Sequence, residues 1–377
     1  MKDAIFPVFA SIALLLLVLS CYPHFRTGNI GAIALVAWCF ASNFVYLVDC
    51  LIYWDTVENL TPVWCDIMVK IQATTQTGLA AACLCINRRL AIISCSKQTS
   101  ATSKSRRWAF WSDIMICVLA PVIVAVVSYC VQSHRYNIVE NFGCSGSPWM
   151  DVYAILGLHG SPVLLGAISF VYGAIAIYNF IAQRRRFQVV LQQNSSLNTS
   201  RFVRLIGVAG VNIVISLLFA IRETVLTAHS VYPTVSWDYI HYDFDLVFTY
   251  DSFFLLGDPQ AWVELNLSRW LPCVASFIYF AFFGMHEDML SYYTYVWARL
   301  SQALLRTKER IFGQPLTVHD PSQYPKLGTA VASPSECGWS QDKISDEEQV
   351  FPHSRTEISE KSNIDEGSLP RFEKICL

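Results

Sequence analysis

The chain has 377 residues, of which 54% are hydrophobic and only 15% charged. Soluble domains average about 25% charged residues. A chain this apolar lacks the polar cover that a water-soluble fold needs, and it is too hydrophobic to be disordered throughout. A formal net charge of −2 gives no global basic signal for nucleic acid, and 13 cysteines are too sparse for a small disulfide scaffold. The expected class is an integral membrane protein.

Crossing the hydrocarbon core takes about 20 mostly apolar residues per helix. In chain order, seven stretches meet that need: residues 4–22, 30–54, 64–86, 108–131, 152–181, 205–228 and 267–285. Lys70 interrupts the third and the Arg222-Glu223 pair the sixth. The first stretch exceeds the usual signal-peptide core and only Lys2 precedes it, so it reads as a retained helix. With the N-terminus outside, twelve Lys and Arg fall in the inner loops against three outside. The positive-inside rule therefore predicts an N-out, C-in topology. The expected fold is an all-α membrane protein, a seven-helix bundle over residues 1–285.

Beyond the bundle, Met289, Tyr293, Val296, Leu300 and Leu304 recur at helical spacing beside Arg299, Arg306, Lys308 and Arg310. Residues 286–314 thus read as an amphipathic helix on the inner leaflet, in contact with anionic membrane lipids. Residues 315–377 are rich in Ser, Glu, Asp and Lys and read as a disordered cytosolic tail, open to phosphorylation.

Several seven-helix functions fail on the residues. A retinal protein needs a lysine in its seventh helix, and 267–285 has none. A metallohydrolase needs converging His and carboxylate ligands, yet His159 is the one histidine well inside a span. Neither a metal nor a cofactor is expected. A transporter should place ionisable groups near the bilayer midplane. Here Asp49, Lys70, Arg222 and Glu223 cluster toward the outer ends of their helices, a pattern that suits a ligand cup open to the outside. The alternative is snorkelling near helix ends, with a local Asp66–Lys70 pair. Gln72, Thr74, Thr75, Gln76 and Thr77 on the third helix line a pocket or tie helices together; the sequence leaves both open.

A set of motifs then points to a family. The first inner loop reads His24-Phe-Arg-Thr-Gly-Asn-Ile-Gly31, and the second helix carries Ala37-Trp-Cys-Phe40 and Asn43-Phe-Val-Tyr46. The third helix opens Pro62-Val-Trp-Cys-Asp-Ile67 and ends Leu84-Cys-Ile-Asn-Arg-Arg-Leu90. Arg201-Phe-Val-Arg-Leu205 opens the sixth, Trp237-Asp-Tyr-Ile-His241 lies in the third outer loop, and Phe280-Ala-Phe-Phe-Gly284 ends the seventh. In this order, over roughly residues 4–293, the chain resembles the fungal mating-pheromone receptors for a-factor-type lipopeptides, which are seven-helix G-protein-coupled receptors. It departs from their pattern at Thr27-Gly28, where a more basic stretch is usual, and in a longer outer segment from Asp245 to Ser268.

The resemblance implies a receptor and not an enzyme, located at the plasma membrane. Its partners would be a prenylated peptide pheromone and a heterotrimeric G protein. The expected ligand-binding residues are Asp49, Lys70, Gln72, Arg222, Glu223, Trp237 and His241. Arg88, Arg89, Arg184, Arg185, Arg186, Arg201 and Arg204 are the expected contacts to Gα. An orphan receptor for another hydrophobic ligand and a transporter remain the alternatives. Cys65 and Cys144 would both face an oxidising compartment, and a disulfide between them is expected; free thiols, or competition from Cys50 and Cys130, are the other outcomes. Asn59 and Asn266 begin glycosylation sequons. The residues carry no signal for an oligomeric state.

Overall fold

The computed structural model describes residues 4–94, 103–182, 199–228 and 231–285, with short stretches at 293–294, 297–299 and 301–302. Most of the expected amphipathic helix, the whole of 315–377, and Arg184, Arg185 and Arg186 lie outside the described residues. Met1–Tyr293 form one compact unit. In the unit that begins at Thr294, residues 297–299 and 301–302 are helical.

Among the described residues seven long helices build the first unit. These are α1 (Ile5–Thr27), α2 (Ile30–Ile52), α3 (Pro62–Ser94), α4 (Ser103–Cys130), α5 (Val152–Ala182), α6 (Thr199–Ala228) and, after two short helices, α9 (Pro259–Phe283). Contacts between their termini give the bundle two ends. The end of α2 meets the start of α3 through Asp49 and Trp64, while late α3 meets early α4 through Arg88 and Asp113 and early α6 meets late α9 at Gly207 and Phe282. By length and composition, α2, α3, the part of α4 from Arg107 to Cys130, and α5 could each cross a membrane; Ile5–Cys21 is a shorter apolar helix. In α6, residues 205–221 form one run without Asp, Glu, Lys or Arg, whereas Glu264 and Arg269 dilute α9.

The helix ends follow from local chemistry. Gly28 takes φ +57°, a left-handed conformation that costs glycine little, and so reverses the chain between α1 and α2 within two residues. In α5, Ile155–His159 form a π-helical turn just before Pro162. A proline ring crowds the carbonyl four residues back, and one wide turn absorbs that strain. The last helix begins at Pro259, eight residues earlier than expected. Asp258 caps it by accepting from the amides of Gln260 and Ala261, both at 3.1 Å, and Pro259 sits where no amide partner is needed.

One end of the bundle carries a three-stranded sheet, ordered β2-β1-β3. β1 (Tyr136–Val139) and β2 (Gly143–Ser145) form an antiparallel hairpin, and β3 (Val247–Tyr250) pairs parallel to β1, Tyr136 opposite Val247. Two short helices flank β3, α7 (Trp237–Ile240) and α8 (Ser252–Leu256). The segment 245–268 is therefore structured, as strand, short helix and the first turns of α9.

The core is built around α3, which packs against α2, α4, α5 and α6. Leu35, Cys39, Leu79, Ala82, Ile86, Leu90, Ala176, Val208 and Tyr279 are buried together there. Polar side chains cross between helices within this core. Ser42 meets Thr75 at 2.9 Å, Thr77 meets Ser161 at 2.9 Å, and Asn43 donates to Ser276 at 2.9 Å. The outward faces are apolar instead. Ile5, Val8, Ile12 and Leu15 on α1, with Trp111, Met115, Val118, Val122 and Val126 on α4, are between 42% and 62% exposed. Apolar stripes facing outward and polar bonds facing inward are the arrangement expected of helices solvated by lipid.

Candidate functional site

At the sheet end, the last turn of α2 brings Asp49 fully inside. Its Oδ1 accepts from the Trp64 indole at 2.7 Å and its Oδ2 from the Gln72 amide at 3.2 Å. Gln72 also donates to the Cys144 carbonyl at 3.0 Å, which draws β2 into the same cluster. Gly143, with φ +93°, passes so close that an added Cβ would lie 2.4 Å from the Asp49 Cβ, and only glycine fits. Cys144 is bonded to Cys65 at the start of α3, with Cα atoms 5.4 Å apart. The Tyr53 hydroxyl lies 3.0 Å from the Cys65 sulfur, and the Tyr53 carbonyl accepts from the Asn141 amide at 3.0 Å. Together these contacts seat the hairpin on α2 and α3.

The hairpin turn also grips the segment after β3. Glu140 accepts from the Ser252 amide at 2.8 Å, and Asn141, in the left-handed region at φ 66°, donates to the Ser252 hydroxyl at 3.1 Å. The Ser252 amide holds the Glu140 carboxyl below its ordinary value of 4.5 by favouring the charged form. Asp66 pairs with Arg135 through both carboxylate oxygens, at 2.9 and 2.6 Å. Lys70 is engaged elsewhere, donating to Gln132 at 2.5 Å and Ser128 at 3.5 Å and standing 5.4 Å from the Tyr129 ring.

Between the sheet and the first turns of α9 lies a cavity of about 520 Å³, lined by Tyr46, Gln72, Val139, Tyr250, Asp258, Glu264 and Arg269 among others. A second cavity of about 170 Å³ lies between α3, α4 and α5, with Lys70, Gln76, Gln132, Leu158, His159 and Pro162 in its wall. Gln72, Gly146, Glu264 and Ser268 border both, so the two adjoin as neighbouring lobes, together called the cup. Among the described residues no three His, Cys, Asp or Glu converge as a metal site.

Of the residues expected to bind ligand, Gln72 and Lys70 line the cup, while Asp49 is behind its wall, occupied in seating the hairpin. Trp237 and His241 form a separate aromatic cluster. Their rings stack 3.8 Å apart, with Tyr129 and Phe244 against them. Arg222 and Glu223 are in the last turns of α6; Arg222 is half-buried and is not among the described residues lining the two lobes, and the side chain of Glu223 is outside what is described. Asn266 is inside α9, its amide donating to the Trp262 carbonyl at 2.9 Å, so that sequon belongs to a helix and not to a loop.

The sequence matches the Pheromone A receptor family over residues 5–301, a range that takes in the whole bundle and both lobes. The chain belongs to this family. It is 31% identical to the Pheromone B alpha 3 receptor of Schizophyllum commune over 84% of this chain and 51% of that one. It is 28% identical to Pheromone receptor 1 of Ustilago hordei over 76% of this chain and 81% of that one. Identity to the Pheromone a factor receptor of Saccharomyces cerevisiae is 27%, over 72% of this chain and 57% of that one. The chain spans about half the length of the Schizophyllum relatives it matches. Pheromone receptors are not enzymes, and the chain is a membrane protein of that family.

At the opposite end of this pheromone-receptor bundle, Arg88 turns inward. It meets Asp113 of α4 at 2.9 Å and donates to the Ala109 carbonyl at 3.2 Å, with both side chains of the ion pair largely buried. Arg89 donates to the Gly28 carbonyl at 3.0 Å. Arg204 is half-buried on α6, and the side chain of Arg201 is outside what is described. Sequence reasoning missed Asp113, because its partner on α3 is 25 positions away and no local spacing announces the pair. It also missed Arg269, which lies in the seventh apolar stretch and is only 3% exposed. Its guanidinium sits 4.9 Å from the Phe6 ring and 4.1 Å from the Phe142 ring, and it donates to Asn266 at 2.7 Å.

Proposed function

We propose that the chain is a seven-helix receptor of the plasma membrane that binds a prenylated peptide pheromone in the cup under the sheet and activates a heterotrimeric G protein. The observation that carries this reading is the two-lobed cup in a chain of the Pheromone A receptor family. Helices α1–α6 and α9 are the seven spans, and the sheet end faces outside because the loop Lys and Arg concentrate at the other end. The disulfide and the Glu140 and Asp66 contacts then belong to the extracellular face. The peptide meets the polar walls of the cup, and its lipid needs the apolar surface that neighbouring helices and the bilayer supply.

Activation is a shift in population. An agonist stabilises the active bundle only by its greater affinity for that state. The ends of α3, α5 and α6 opposite the sheet then admit Gα, and the basic sequence Arg184-Arg-Arg186 supplies charge for the partner and for anionic lipid, while Arg88 is engaged with Asp113. Nucleotide exchange takes place on the partner, so the receptor needs no catalytic group.

The test is exchange on a fungal Gα by the full chain in nanodiscs, with matched peptides that carry or lack a farnesyl group. Acceleration by the farnesylated, methyl-esterified peptide alone supports the reading. A folded receptor that answers no peptide in a broad panel overturns it.

A further inference from the structure

The sheet over the cup has one closed edge and one open. On the β2 side, the Cys144 carbonyl accepts from Gln72, Gly143 packs against Asp49, and the disulfide ties Cys144 to α3. β3 is the other outer strand. The Tyr250 carbonyl accepts from the Glu140 amide, so the backbone of Tyr250 turns toward β1. A strand alternates, which turns Phe248 the same way and the N–H and C=O groups of Val247 and Thr249 away from the sheet. Among the described residues those outward groups have no hydrogen-bond partner. Natural proteins blunt an exposed edge with lysine, proline, a bulge or an inward-pointing charge. Val247-Phe-Thr-Tyr250 has none of these, runs in unbroken register with β1 and consists of strong strand formers. Phe248 and Thr249 are exposed. An edge left in this state is a template for one more strand.

What fills the edge follows from its length and place. A strand of 4 residues offers far less than the roughly 1,000 Å² that a stable protein interface buries, which is too little to hold a second copy of the chain. A short extended peptide supplies donors and acceptors at the matching spacing and needs no larger surface. The strand also leads into the cup. Tyr250 and Phe254 line the larger lobe, as do Asn137 and Val139 of the paired β1. We infer that the open edge of β3 binds the peptide ligand by strand addition, with Val247 and Thr249 as the pairing residues and the ligand chain running past Tyr250 into the larger lobe. The inference rests on the proposal that the ligand is a peptide, and it names how the backbone of that peptide is held. Main-chain bonds to β3 then supply affinity, and alternate side chains of the ligand carry selectivity.

The test reads nucleotide exchange on Gα with the full chain in nanodiscs and farnesylated, methyl-esterified peptides in which one backbone amide at a time is replaced by an ester. Each replacement removes a single donor and keeps every side chain. Two amides, separated by one that is insensitive, should each raise the half-maximal concentration about three- to tenfold when replaced. Thr249→Pro removes an outward N–H and leaves the ladder to β1 in place, so it should weaken the unmodified peptide by a similar factor. With one of the two sensitive esters the combined loss should be smaller than the product of the separate losses, because both changes break the same pair. Val247→Pro, which removes the other outward N–H, takes the place of Thr249→Pro if that variant does not fold. Ester losses without the alternation, or fully multiplicative losses with both sensitive esters, overturn the inference in a receptor that does activate and leave the proposed function standing. A proline variant that keeps the peptide response but loses self-association assigns the edge to a second copy and overturns it too. A folded receptor that answers no peptide removes the inference together with the proposed function.

Discussion

Asp49 accepts from Trp64 and Gln72 while Gly143 packs directly against its side chain, so its carboxyl sits at the centre of the hairpin's seat. Removing it takes the acceptor from the Trp64 indole and one of the two acceptors from Gln72, which keeps the Cys144 carbonyl. Asp49→Ala should lower stability by about 1–3 kcal/mol, and Asn, which keeps one acceptor oxygen, should lower it less. Thermal unfolding of the purified receptor reads both, and equal midpoints for wild type and Ala would show that the network holds nothing. Glu140 gives a pH signature at the same scale. Its carboxyl is held below 4.5 in the folded state by the Ser252 amide, so its contribution is present above that value and is lost as pH falls through the lowered one. The midpoint difference between wild type and Glu140→Gln should therefore be constant at neutral pH and vanish on acidification. A difference that grows as the pH drops would contradict the assignment.

Among the elements, α9 depends on its first turn and the α3–α4 contact on one buried pair. Asp258→Ala should cost about 1 kcal/mol, seen as faster hydrogen exchange at Gln260 and Ala261 with α3 unchanged. Uniform exchange across α9 would mean that the cap is idle. Arg88→Ala or Asp113→Ala leaves a buried charge unmatched and should cost about 3–5 kcal/mol, whereas the double variant should cost less than either single change. Additive losses in that cycle would show that the two groups do not interact. Much of this level was legible in the sequence. Apolar run length located α1 to α6 to within a few residues at most ends, because a helix in lipid must satisfy its own backbone and stay apolar for about 20 residues. The start of α9 was not legible from hydropathy. Asp258-Pro259 is a capping signal set in polar sequence, and a scale that counts only apolar residues passes over it.

For the whole molecule, the link between Cys65 and Cys144 closes a chain separation of 79 residues and fixes the sheet over the cup. Cys144→Ser should lower stability by about 2–4 kcal/mol and free the hairpin, and non-reducing peptide mapping should recover the two cysteines in one linked fragment. Recovery of either as a free thiol in the folded receptor would exclude the link.

The sequence by itself determined the membrane class, most helix positions and the family, because all three are written in runs and motifs along one chain. Only the tertiary structure decided which polar groups meet. It sent Asp66 to Arg135 and not to Lys70, placed Arg88 against Asp113, and paired β3 with β1 across more than 100 residues. It also separated Asp49 from the cup and set Glu264 at the junction of its lobes. The reason is geometric. Hydropathy is a property of one segment, whereas a hydrogen bond, an ion pair or a cavity wall exists only where segments distant in sequence are brought within a few ångströms.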